Sequence, residues 1–96
     1  MRPSEAIARH REELIEIAHR HGASNVRLFG SVIRGEDVEG SDVDLLIDAN
    51  AGTGYFALAR FQAEAEKLIG VPVDIHTPAG LKERVRQEVI AEARPL

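Results

Sequence analysis

The sequence predicts an α/β (α+β) fold in which a small three-stranded mixed sheet is packed by helices mainly on one face. Three short segments alternate apolar and polar residues at period two: Asn25 to Phe29, Val43 to Asp48 and Val71 to His76. Around and between them run longer stretches whose apolar residues recur three and four apart, the mark of amphipathic helices. In the second and third short segments the aspartates take one parity and the branched apolar residues the other, as expected of two strands of one sheet over a common core.

The first helix is expected from a Ser4 cap to about His21, with Ile7, Leu14, Ile17 and Ala18 inward and Arg9, Glu12, Glu13, Glu16 and Arg20 outward. Gly22 ends it. Asn25 to Phe29 follows as a strand with Val26 and Leu28 on one face, and it delivers Gly30-Ser31 to its C-terminal end. A glycine there lets the backbone turn sharply and present amide groups to an anion. Ser31 to about Glu36 makes one or two helical turns, and the polar stretch to Ser41 connects to the second strand. In that region Asp42 and Asp44 share one face while Val43, Leu45 and Ile47 share the other, with about 7 Å between the two aspartate Cα atoms.

The flexible run ANAGTG leads into a helix over residues 55–69 with Leu58, Phe61, Ala65 and Leu68 as its stripe, closed by Gly70. The third strand, residues 71–76, sets Val71, Val73 and Ile75 against Pro72, Asp74 and His76, and the proline stands at its start where a missing donor is tolerated. Thr77 caps a last helix from about Pro78 to Ala93 with Leu81, Val85 and Val89 inward, and Pro95 stops it. A helix of this length between the second and third strands makes them parallel neighbours through a right-handed crossover, so that Asp74 stands beside Asp42 and Asp44. The sheet face carrying the acids is expected to remain partly open.

Residues 1–96 read as a single small domain, 44% apolar and 29% charged, without repeat or linker. Six acidic and no basic residues lie between Glu36 and Asp48, so the remainder of a chain of net charge −4 carries +2. Acidity concentrated at one site argues against direct nucleic-acid binding over a broad basic surface and for carboxylates that share cations. Absence of cysteine excludes disulfides, thiolate metal sites and a cysteine nucleophile. The amino-terminal stretch, charged every few residues, reads as neither signal peptide nor membrane span, so a cytoplasmic location is the expectation.

Taken singly, Gly-Ser after a strand is an ordinary turn, and Asp-x-Asp an ordinary solvated edge or cap. An EF-hand is excluded because Leu46 stands where an oxygen ligand belongs. His10, His19 and His21 are expected at the surface, and His76, sharing the parity of Asp74, could line a cleft over the acids.

In combination, Gly30-Ser31, ten intervening residues, Asp42-Val43-Asp44 and the later Val73-Asp74-Ile75 resemble the signature of the nucleotidyltransferase superfamily related to DNA polymerase beta. The short length and the run GSVIRGE before SDVDLL are similar to the minimal nucleotidyltransferases (MNT), which are encoded beside a HEPN-domain partner as the antitoxin of a toxin–antitoxin pair. The resemblance extends from about Val26 to the C-terminus. It implies that Asp42 and Asp44 ligate two Mg²⁺ ions and that Asp74 completes the ion beside the acceptor and helps remove its proton. It implies too that Gly30 and Ser31 bind the triphosphate of ATP while Arg34 adds charge near the phosphates. The implied reaction transfers AMP to a hydroxyl, a tyrosine of the HEPN partner, with pyrophosphate released. The alternative is a non-catalytic antitoxin that neutralises a HEPN ribonuclease by complex formation. The four aromatic residues Phe29, Tyr55, Phe56 and Phe61 define no base-stacking platform.

Overall fold

A computed structural model describes residues 1–96. Helices α1 (Pro3–Arg9) and α2 (Arg11–Arg20) precede strand β1 (Ala23–Phe29), which runs into a 3₁₀ turn at Gly30–Val32. Strand β2 (Val43–Ala49), helix α3 (Tyr55–Ile69) and strand β3 (Val73–His76) follow. A second 3₁₀ turn at Pro78–Gly80, helix α4 (Glu83–Glu92) and a short strand β4 (Arg94–Pro95) complete the chain.

The sheet has four strands in the order β3-β2-β1-β4, one more than expected. It is mixed, as expected: β2 and β3 are parallel across the α3 crossover, whereas β1 runs antiparallel to both β2 and β4. The extra strand arises because the outer side of β1 still has backbone groups to satisfy. Arg27 pairs with Pro95 and Leu28 with Arg94, and Leu96 N donates to Val26 O at 3.0 Å. Pro95, expected to stop a helix, thus sits on a peripheral strand, where its missing N–H is tolerated.

Val26, Leu28, Val43, Leu45, Ile47 and Val73 form one face of the sheet, packed by Ile7, Leu14, Ile17 and Ala18 from α1 and α2 and by Phe61, Ala65 and Ile69 from α3. This is the face that strand parity assigns to the core. The other face is not left bare, because Phe29 and Leu46 are covered by Val89 and Ala93 at the end of α4 with Leu81 beside them. Three helices therefore pack on one face and the last crosses part of the other.

Several element limits differ from the sequence expectation. The first helix is two, meeting at His10 (φ −113°, ψ 22°), and its N-cap is Arg2 rather than Ser4, with Pro3 opening the first turn. The bond ladder passes through the break, His10 N donating to Ala6 O at 3.0 Å and His10 O accepting from Leu14 N at 2.9 Å. Strand β1 begins two residues early through a bulge in which Asn25 adopts φ +49°, a conformation asparagine tolerates better than most residues. The last helix is shorter than expected: Thr77 caps only the 3₁₀ turn, its Oγ1 accepting from Gly80 N, and Leu81 and Lys82 are extended before α4 begins. Arg86 ties the two pieces together by donating to Pro78 O at 2.7 Å and Leu81 O at 3.0 Å. Of the expected stripe only Val89 is buried, Val85 being exposed.

The loop between the first 3₁₀ turn and β2 is fixed by one residue that sequence reasoning passed over. Asp37 is 3% exposed and its Oδ2 accepts from Ser4 N at 2.9 Å, capping the amino end of α1 from a distance of 33 residues. That bond holds the Asp37 carboxyl below the usual carboxylate range.

Candidate active site

The acids are assembled by sheet register. Phe29 pairs with Asp44 across the antiparallel ladder and Asp44 pairs with Asp74 across the parallel one. Further along, Arg27 pairs with Leu46 and Leu46 with His76. Cross-strand partners point to the same face, so Phe29, Asp44 and Asp74 form a row, and His76 stands over the same ground two residues on. Oxygen and nitrogen atoms of Asp44, Asp74 and His76 lie within 4.8 Å of one another. His76 Nε2 is 3.5 Å from Asp44 Oδ1, and the imidazole stacks edge-on against Phe29 with ring centroids 5.3 Å apart.

Asp44 is the half-buried member and Asp74 is exposed. Burial holds the Asp44 carboxyl above its ordinary range, opposed by the charge of His76 and reinforced by Asp74 and Asp42. Asp42 lies one residue before β2, is exposed, and stands outside the close group while still adding negative charge to it. Two carboxylates and an imidazole converging on one point form a donor set suited to a divalent cation, and the disfavoured ionisation of Asp44 is what a cation would relieve.

Gly30 ends β1 with φ +79° and opens the 3₁₀ turn. A Cβ built on it would lie 2.5 Å from Asp44 Oδ2. The position therefore requires glycine twice over, for its left-handed backbone and for the closeness of the carboxylate. Ser31, partly exposed, is the next residue of the turn. Arg34 lies beyond, exposed, and pairs with Glu36 at 2.6 Å and with Glu92 at 2.9 Å. Glu92 also accepts from Gly30 N at 3.0 Å.

All six site residues expected from the sequence thus come to one end of the sheet, with Asp44, Asp74 and Gly30 in contact or near contact and Asp42 and Arg34 at the periphery. Strand parity placed His76 correctly. Glu92 was missed, because Val89, Glu92 and Ala93 share a helix side only in the spacing of α4, and nothing in that spacing says that the side lies against Phe29. The exposed pair Tyr55 and Phe56, 79% and 75% accessible, begins α3 at the opposite end of β2 from Asp44.

The profile of the nucleotidyltransferase domain family matches residues 7–96. Protein adenylyltransferase MntA of Thermococcus cleftensis is 33% identical over 86 residues, spanning 90% of this chain and 84% of the relative. A Methanocaldococcus jannaschii protein assigned as a protein adenylyltransferase is 30% identical over 83 residues, 86% of this chain and 89% of the relative. A solved structure assigned to the minimal nucleotidyltransferases superposes with TM-score 0.87 and 44% identity over 97% of this chain and 95% of the other. A toxin–antitoxin structure with AMP-PNP shares the fold at TM-score 0.74 and 17% identity, covering 88% of this chain and 69% of that one.

Proposed function

The chain belongs to the nucleotidyltransferase domain family and is a transferase, and from that premise we propose that it moves AMP from ATP to a tyrosine hydroxyl of a HEPN-type partner, acting as an antitoxin. The reading is carried by one observation: a glycine amide, two register-paired aspartates and a histidine meet at a single sheet end, with Gly30 so close to Asp44 that a side chain would not fit. A phosphate-binding turn and a cation-binding pair in contact are what a metal nucleotide requires.

In this reading Asp42, Asp44 and Asp74 hold two Mg²⁺ ions. Bound there, the ions supply Lewis-acid stabilisation of charge on the attacking and leaving oxygens of an in-line displacement. The chain's own groups bind and orient. The Gly30 amide, the Ser31 hydroxyl and the Arg34 guanidinium take the triphosphate oxygens, and Asp74, the exposed acid on the outermost strand, faces the side from which an acceptor arrives. The acceptor oxygen forms a bond to the α-phosphorus, the bond to the bridging oxygen breaks, pyrophosphate leaves, and the acceptor proton passes to a carboxylate. Residues 1–96 act as one minimal nucleotidyltransferase domain, in the cytoplasm, without direct nucleic-acid contact; no helix of the protein is long and apolar enough to cross a membrane.

The test is incubation with the adjacent gene product, each NTP in turn and Mg²⁺, followed by intact-mass measurement. AMP increments on the partner, absent with Asp74→Asn, are the expected result. A tight complex without increments would leave the alternative, neutralisation by binding alone, and absence of any complex would overturn the partner.

A further inference from the structure

Two of the donors assigned above to the triphosphate are already occupied. One carboxylate oxygen, Glu92 Oε1, accepts from Gly30 N at 3.0 Å and from Arg34 Nη1 at 2.9 Å. A backbone amide exposed by a left-handed glycine beside a guanidinium is an anion site by construction, and carboxylate and phosphate oxygens are interchangeable in it. Glu92 is the last residue of α4, in a turn without basic residues, where the helix dipole disfavours a negative charge. It also adds an acid to the end of the sheet that already carries the paired Asp44 and Asp74. Neither its helix nor its surroundings favours a carboxylate there; the two donors do.

We propose that Glu92 is an internal phosphate mimic that holds the anion site closed, so that an incoming phosphate must displace it and thereby loosen the end of α4 from the sheet. The site is inferred from Glu92 and its two donors, and only the ligand's identity as a nucleotide rests on the function proposed above. Helix α4 is held on this face through Val89 and Ala93 against Phe29 and Leu46, so displacing Glu92 breaks the side-chain polar contact of a small attachment and leaves the apolar contact and the β4–β1 pairing to hold the end of the helix. Phosphate binding and α4 release are then reciprocal: whatever holds α4 down weakens the ligand by the same factor that the ligand weakens α4.

The experiment is calorimetric titration of the wild-type protein and Glu92→Gln with Mg²⁺·ATP and, separately, with Mg²⁺·tripolyphosphate, which offers the phosphates without base or sugar. Glu92→Gln keeps the shape and a neutral acceptor, and Glu92→Ala serves as the stronger variant where melting shows it folded. Charge-assisted hydrogen bonds of this kind set the expectation at about tenfold tighter binding of both ligands to Glu92→Gln. Glu88→Gln neutralises an exposed acid of the same helix that bonds neither donor and is expected to leave affinity within about twofold. Hydrogen exchange of the α4 amides is expected to quicken in the wild type on ligand addition. Unchanged or weaker binding to Glu92→Gln, equal tightening in Glu88→Gln, or binding of neither ligand to any variant overturns the proposal. Tripolyphosphate tightening without ATP binding upholds it and removes the nucleotide reading instead.

Discussion

At Gly30 a single hydrogen atom separates the turn from the carboxylate of β2. Gly30→Ala would place a Cβ 2.5 Å from Asp44 Oδ2 in a backbone conformation that costs an L-residue about 1–2 kcal/mol. We expect a stability loss of at least about that size in urea unfolding, together with loss of transfer, and an alanine variant as stable as the wild type would show that this turn relaxes freely. Asp44 yields a prediction of opposite sign. Its carboxyl is held above the usual range mainly by burial, so the folded state takes up a proton more readily than the unfolded one. In metal-free buffer its contribution is therefore favourable below the ordinary carboxylate pKa and is lost as pH rises through its raised value. Asp44→Asn should melt higher than the wild type at neutral pH in EDTA and lack that loss. Asp44 was legible because period-two alternation fixes which side chains share a face, whatever the helices do, and Gly30 because a glycine closing a strand marks a sharp turn. Glu92 was not, since its place depends on which sheet face α4 crosses, a matter of tertiary packing that no local pattern encodes.

Among the elements, α1 and the connection to β2 depend on each other through Asp37. Removing the carboxylate in Asp37→Ala strips a cap from the first turn and should cost about 1 kcal/mol. Because Asp37 is held below the ordinary range by the Ser4 amide, its contribution is present above the unfolded pKa and is lost as pH falls through the lowered folded value. Melting curves of the two proteins should accordingly converge in acid, and a constant gap at all pH values would point to packing rather than charge. The sequence read as a polar connection here because a long-range cap has no spacing rule. The last helix failed for a different reason. Thr77 and Pro78 are good helix-starting residues, but Gly80 allows the turn to end after one round, and Leu81 and Lys82 extend before α4 begins. Strand β4, with two residues, is too short for any alternation to be read.

For the whole molecule, the cation binding proposed above would make stability a function of cations. At free Mg²⁺ about 100 times its dissociation constant, linkage contributes about 2.7 kcal/mol, a rise in Tm of roughly 10–20 °C for a domain of this size. The rise should vanish in EDTA and in an Asp44→Asn, Asp74→Asn double variant; an equal rise in that variant would place the cations elsewhere. The layered arrangement itself was legible, because two amphipathic patterns of different period can be satisfied together only by helices laid on a sheet. One further consequence follows from β3 being the outermost strand on its side. Only four residues long, with Asp74 and His76 among them, it offers a poor template to a strand from another copy, since short charged borders discourage annexation. Asp74 thus also makes this edge a poor place for a second copy to pair. Asp74→Asn should therefore self-associate more readily than the wild type, so light scattering belongs beside every assay that uses it.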